Sequence, residues 1–184
     1  MGKSILYIAT SLDGFVAGKD DDISWLDPFN EVDYGFDEFF STIGAAILGR
    51  KTYEIETGMG LGNVHPVQKF VLTHKMPGKK TWPADVVFTD ESIETVLQKA
   101  KNSTTKNIWI EGGAQITQQF LEKGLLQEIV LAIVPVLLGE GIRLFENGKH
   151  RSDLTLIDLK KFDKGLIQMT YTVHSRGGAG RGSR

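Results

Sequence analysis

The chain has 184 residues, 41% of them hydrophobic and 24% charged, which is the composition of one globular domain with an ordinary core and leaves no length for a second full domain. A formal net charge of −2 supplies no global field that would recruit nucleic acid or a membrane surface. The absence of cysteine excludes disulfides, thiolate nucleophiles and cysteine-ligated metals, and it accords with a cytoplasmic protein.

In chain order, Ser4 to Thr10 is a short β-rich run read as a buried strand, and a polar, glycine-containing loop follows from Ser11 to Asp22. The run is too short for a signal peptide or a membrane span, and no such span appears later. After Trp25 and Pro28 the residues Val32, Phe36, Phe39, Phe40 and Ile43 recur at helical spacing, and Ala45 to Leu48 reads as a second buried strand. Gly49-Arg50-Lys51-Thr52 opens another helix. Lys69 to Thr73 is strand-like, Pro77-Gly78 is a turn, and Val86 to Phe88 is a short strand. Ser92 is an expected N-cap for a helix with apolar residues at Ile93, Val96, Leu97 and Ala100. Then come a strand from Asn107 to Ile110, a helix from Ala114 to Lys123 ended by Gly124, and a strand from Glu128 to Pro135. Two final strands, roughly Leu154 to Asp163 and Leu166 to His174, meet at an Asp163-Lys164-Gly165 turn suited to a hairpin.

Strands alternating with helices predict a three-layer α/β fold, with a mostly parallel central sheet and an antiparallel C-terminal hairpin at one edge. Residues 1–175 are expected to form one domain, and the Gly/Arg tail 176–184 to be disordered, with too few arginines for a nucleic-acid arm. In such sheets ligands sit beyond the carboxyl ends of the strands. Three segments fall there. At Gly112-Gly113 an apolar strand breaks on two glycines and restarts as a helix, so the backbone can approach a ligand closely and offer free N–H groups to an anion. At Gly49-Arg50-Lys51-Thr52 a helix start is joined to two cations and a hydroxyl; cations there oppose the helix dipole and so need another reason to exist. At Thr73-His74-Lys75 a second basic cluster ends a neighbouring strand, which suits the extra phosphate of NADP. No G-x-G-x-x-G follows the first strand. The four histidines, His65, His74, His150 and His174, show no metal-ligand spacing.

These segments resemble the dihydrofolate reductase superfamily. Ile47-Leu48-Gly49-Arg50-Lys51-Thr52-Tyr53-Glu54 is similar to the reductase's cofactor-binding strand and helix, and Ile110-Glu111-Gly112-Gly113 resembles its second cofactor loop, where the family has a cis Gly-Gly peptide. Ser11-Leu12-Asp13-Gly14-Phe15-Val16-Ala17 and the stretch from Glu111 through Leu137-Leu138-Gly139-Glu140-Gly141 to Leu144-Phe145 look closer to a sister group, the C-terminal pyrimidine reductase domain of the bifunctional riboflavin-biosynthesis enzyme. The resemblance covers the chain to His174.

It implies NADPH beside a planar nitrogen heterocycle, in a homodimer that takes a small-molecule substrate. Ala9 and Val16 match positions that hold the nicotinamide carboxamide. Gly49, Arg50, Lys51 and Thr52 match phosphate binders, Leu72 and Thr73 match adenine and ribose-phosphate contacts with His74 beside them, and Gly112, Gly113, Ala114, Gln115 and Ile116 match the pyrophosphate loop. Trp25 matches an active-site tryptophan. Ungapped counting back from Gly49 places Asp33 on the family's helix carboxylate, with Asp37 one turn later as the alternative. A carboxylate partly buried beside Trp25 and Phe36 would have its charged form disfavoured and could hold a proton; Asp33 is the first candidate, and Asp13 and Glu111 follow. Glu111, at the end of an otherwise apolar strand, needs a partner. Phe15 stands where the riboflavin reductase has Lys, and no arginine for a folate tail follows Thr52; both departures count against the riboflavin precursor and folate themselves and leave the substrate open among pterin-like and aminopyrimidine compounds. The rival from another class is a non-enzymatic nucleotide-binding or dimerisation module on the same fold.

Overall fold

The apolar runs assemble side by side because each is rich in β-branched and aromatic residues and is covered on both faces. The computed structural model describes residues 2–60, 66–76, 82–146 and 151–174. Its elements are β1 (Ser4–Ser11), β2 (Phe15–Ala17), α1 (Phe36–Ser41), β3 (Ile43–Gly49), α2 (Arg50–Gly58), β4 (Gln68–Leu72), β5 (Val86–Thr89), α3 (Ile93–Ser103), β6 (Asn107–Gly112), α4 (Ala114–Glu122), β7 (Glu128–Val134), β8 (Ile142–Arg143), β9 (Asp153–Lys161) and β10 (Ile167–His174). Eight strands form one sheet in the order β5-β4-β3-β6-β1-β7-β10-β9. The first six are mutually parallel. β10 runs antiparallel to both β7 and β9, which is the expected terminal hairpin.

One face of the sheet, with Leu6, Ile47, Ile108 and Ile110, packs on α3 and α4. All four side chains are fully buried, and each contributes about 1.5–3 kcal/mol relative to an exposed position. α3 presents Ile93, Val96, Leu97 and Ala100 to this core, at the i, i+3, i+4, i+7 spacing of an apolar helical stripe. Its Ser92 cap accepts a hydrogen bond from the Thr95 N–H at 3.3 Å. The alternate residues of the strands face α1 and α2: Trp109 and Ala46 pack with Phe36, Phe39 and Phe40, and Leu48 and Val71 pack with Tyr53. The three layers are thus those expected.

Two local expectations fail. The helix that periodicity starts near Val32 begins only at Phe36. Ahead of it, Gly35 is left-handed at φ 71° and donates its N–H to Asp33 Oδ1 at 2.8 Å, while the Tyr34 hydroxyl donates to the Phe29 carbonyl. These local bonds compete with helix and hold residues 33–35 as a turn, so Asp33 lies outside the helix, and Ile43 starts β3 instead of ending α1. The Ser11–Asp22 loop also contains a strand, β2, paired with β8 from far along the chain. The Pro77-Gly78 turn and the 176–184 tail lie outside the described residues. No helix of the described residues is long and apolar enough to cross a membrane.

Candidate active site

Register brings three strand ends together. Gly49 on β3 pairs with Leu72 on β4, and Leu48 pairs with Gly112 on β6. The two basic segments and the glycine pair therefore share one edge of the sheet. Thr73 is buried, with its hydroxyl engaged by the Lys75 backbone, whereas His74 and Lys75 are exposed. The Gly112–Gly113 peptide is cis, as the resemblance implied. Gly112 has φ +102°, a conformation that favours glycine.

α2 and α4 start beside each other at this edge. A β-carbon on Gly49 would stand 3.5 Å from Ile116 Cγ1 and 4.0 Å from the Gly113 nitrogen. Both helices have glycine at the N-cap and no side-chain cap hydrogen bond, in contrast to α3 with its Ser92. First-turn N–H groups have no partner within their own helix; in α4 the Ile116 N–H donates to the Gly113 carbonyl at 3.1 Å, which leaves Ala114 and Gln115. Two sets of donors and two positive dipole ends therefore converge on a surface without β-carbons. That donor set fits a pyrophosphate. Arg50, 2.6 Å from Glu54, and Lys51, 2.8 Å from Asp21, are surface ion pairs, weak enough to exchange for a bound phosphate. Ala114 and Gln115 belong to the first turn of α4, and Ile116 packs into the core beneath.

The candidate acids separate by environment. Asp13 is an anchor for a loop: its carboxylate accepts from the Ser11 hydroxyl (2.6 Å), the Leu138 N–H (3.1 Å) and the Gly139 N–H (2.8 Å). The Ser11 bond and these backbone bonds hold its carboxyl down to about 2. Asp33 and Asp37 are exposed; Asp33 lines a surface depression with Glu31, Val32 and the hairpin-turn residues Phe162, Asp163 and Lys164. The ground for placing Asp33 on a helical face beside Phe36 is removed by the turn at 33–35. Glu111 differs from all of these. It is 9% exposed, and burial pushes its carboxyl well above the ordinary range, reinforced by a hydrogen bond and like charge from Glu56 and opposed by Lys69. The partner that its position demands is therefore Glu56, which in turn accepts from Lys69 Nζ at 3.0 Å. Neither Glu56 nor Lys69 was anticipated, although a lysine beginning the apolar run Phe70-Val71-Leu72 is the signal that points to a buried ion pair.

Trp25 packs with Ala9, Ala132 and Val134. Phe36 belongs to an aromatic cluster in which its ring lies 5.6 Å from Trp109, and Tyr7 stacks on Phe39 at 4.5 Å. Val16 packs against the main core on β2. The Tyr7 hydroxyl accepts from Gln168 Nε2 at 3.0 Å, and burial pushes its phenol up to about 12. Among the described residues, the buried side-chain polar atoms without a hydrogen-bond partner are Trp25 Nε1 and Glu111 Oε2. A buried orphan polar atom costs free energy, and both orphans are residues singled out from the sequence.

A model of the RibD C-terminal domain matches residues 3–168. The chain belongs to this family. Another relative is the uncharacterized protein YwjB of Bacillus subtilis (strain 168), 35% identical over 173 residues that cover 92% of this chain and 97% of that one. A Shewanella sp. PV-4 protein named for riboflavin biosynthesis has a structure similar to this RibD C-terminal domain with TM-score 0.84 and 26% identity, over 94% of this chain and 99% of that one. Dihydrofolate reductase from Enterococcus faecalis, solved with NADP(H), shares the fold at TM-score 0.64 and 19% identity, over 95% of this chain and 98% of that one. The fold is the one that the motifs around Gly49 and Gly112 implied, and the family is the one that Ser11 to Ala17 and the stretch from Glu111 to Phe145 implied.

Proposed function

We propose that this RibD C-terminal domain protein is an NADPH-dependent reductase that delivers a hydride to the carbon of a C=N bond in a pterin-like or aminopyrimidine heterocycle. The observation that carries the reading is the position of Glu111. A buried carboxyl with one unpartnered oxygen sits immediately before a glycine pair, and that pair lies between two uncapped helix starts. Anion-binding donors and a proton-holding acid are thus adjacent in sequence and in the sheet. Membership of a reductase-containing family supports it.

When bound, NADPH supplies the hydride. The chain has to bind it, orient the heterocycle and provide the proton that the substrate nitrogen takes as the hydride reaches the neighbouring carbon. The first-turn N–H groups of α2 and α4 would hold the phosphates, with Arg50 and Lys51 leaving Glu54 and Asp21 to add charge-assisted bonds. His74 and Lys75, at the end of the neighbouring strand, would meet the additional phosphate together with Arg50. Ala9 and Val16 would offer backbone groups to the carboxamide. Trp25 and the Phe36 cluster would pack on the flat heterocycle and exclude water. Glu111 is the proton holder in this reading, because a carboxyl whose charged form is disfavoured keeps its proton to higher pH than an ordinary one. Asp33 is a polar group nearer the surface.

The test is titration with NADPH, followed by measuring NADPH oxidation against a panel of pterins and aminopyrimidines. Turnover of one of them is expected. Cofactor binding with no turnover of any candidate would favour the non-catalytic module.

A further inference from the structure

Beneath the glycine pair lie three ionisable side chains from three elements: Glu56 from α2, Lys69 from β4 and Glu111 from β6. Lys69 is 1% exposed, and the two glutamates are 9% exposed each. Lys69 reaches Glu56 at 3.0 Å, and Glu56 is the neighbouring carboxyl that, after burial, does most to disfavour the charged form of Glu111. In register, Ala46 on β3 pairs with Lys69 on one side and Trp109 on the other, and Glu111 lies two residues beyond Trp109. The residue between the lysine strand and the glutamate strand is thus a small one.

Two ionised carboxylates side by side have no donor between them and repel, so burying them together favours one proton on the pair. Three charged groups here would leave a net charge of −1 in a buried site, whereas one proton makes it neutral. The ammonium contacts Glu56 directly, so Glu56 is the ionised member. Glu111 is the protonated one, and its second oxygen, Oε2, has no protein partner.

We infer that Glu56 and Lys69 are positioning residues for Glu111, holding its carboxyl beneath the Gly112–Gly113 turn with a proton on it and one oxygen left for the ligand. This deepens the reading of Glu111 as the proton holder and rests on that reading only for where the proton goes. The remaining groups around Glu111 do not compete for the role. On β1 the titratable group of this face is Tyr7, whose phenol interacts with Gln168, Tyr34 and Asp33. α1 turns Phe36, Phe39 and Phe40 inward and leaves Asp37 and Glu38 exposed. The other charges of α2 are engaged outside, Arg50 with Glu54 and Lys51 with Asp21.

The two supports act on Glu111 with opposite sign, which a merely structural role would not produce. Glu56→Gln removes the like charge and leaves the lysine, so Glu111 should ionise more readily. Lys69→Met removes the cation of this cluster, so Glu111 should ionise less readily. The measurement is a carbon-13 NMR pH titration of the ligand-free protein labelled at glutamate side-chain carboxyls, with Glu111→Gln identifying the signal. In the wild type one glutamate is expected to titrate above the ordinary carboxylate range. Glu56→Gln should lower its midpoint by at least about one pH unit, a tenfold change in proton affinity. Lys69→Met should raise it, and Lys69→Arg should stay near wild type. If Lys69→Met does not fold, Glu56→Gln and Lys69→Arg decide the matter. A Glu111 that titrates as an ordinary carboxyl, or a midpoint unmoved by Glu56→Gln, overturns the inference. No substrate enters the measurement, so a network that titrates as described in a protein that reduces nothing would refute the reductase reading and leave this one standing.

Discussion

Gly113 and Thr52 face each other across the ends of β6 and β3, so that a β-carbon on Gly113 would stand 3.5 Å from the Thr52 hydroxyl oxygen. One β-carbon fits there at ordinary contact distance, but the methyls of a branched side chain would occupy the space where the two helix starts offer their N–H groups. Gly113 has φ −67°, which other residues adopt freely. Gly113→Ala should therefore bind NADPH within a few-fold of wild type. Gly113→Val should weaken binding at least tenfold while the unfolding midpoint barely moves, measured by fluorescence titration and urea denaturation. Loss of folding in the valine variant would contradict this.

Arg50 should decide between the two nicotinamide cofactors. A charge-assisted bond to the additional phosphate contributes roughly 1.5–3 kcal/mol, less the ion pair with Glu54 that must be given up. Arg50→Ala should weaken NADPH about tenfold and leave NADH within about twofold, as Kd values for both will show. Glu54→Gln, which frees the guanidinium, should strengthen NADPH binding. Equal losses for both cofactors in Arg50→Ala would remove Arg50 from the phosphate site.

The proton assignment separates Glu111 from Asp33. Proton-transfer groups contribute about 10²–10⁴-fold. Glu111→Gln should slow turnover by at least tenfold with NADPH affinity nearly unchanged, and the deficit should shrink at low pH, where solvent supplies protons. Asp33→Asn keeps the oxygen that accepts from Gly35 and should stay within a few-fold of wild type. The reverse pattern would move the proton source to the surface depression at Asp33.

Asp13 makes a pH-dependent contribution to stability. Its folded-state carboxyl titrates at about 2 against an ordinary 3.8, so the folded state prefers the ionised form. That stability is present above the ordinary value and is lost as pH falls from 3.8 through about 2. Asp13→Asn should lower the urea midpoint at pH 7, and its difference from wild type should disappear towards pH 2. A difference independent of pH would show that shape alone matters at this position.

We propose that the sheet continues its pairing in a homodimer at the β9 edge. Leu154, Leu156 and Leu159 are all about half exposed on this edge strand, in register with Val173, Tyr171 and Met169 of β10. An edge strand of nine residues that carries three half-exposed leucines needs protection. Sedimentation at tens of micromolar, an ordinary range for dimer affinities, should show a dimer that Leu156→Lys converts to monomer. A wild-type monomer under those conditions would refute it.

What the sequence by itself determined is what local pattern encodes. The alternation of strands and helices follows from apolar period. The starts of α2 and α4 follow from Gly49 and Gly113, because a glycine between a strand and a helix acts within a few residues of itself. Glu111 announced its need for a partner by standing in an apolar strand. Only the tertiary structure decided who that partner is. Glu56 and Lys69 are thirteen residues apart on a helix and a strand, and nothing in the local chain says that they meet a carboxyl from β6. The turn at Asp33 shows the same limit from the other side. Helical spacing from Val32 to Ile43 was real, but the bonds of Asp33 with Gly35 and of Tyr34 with Phe29 outcompete the first helical turn. The pairing of β2 with β8 was invisible for a simpler reason: two short strands far apart in sequence gain their hydrogen bonds only once the sheet has folded between them.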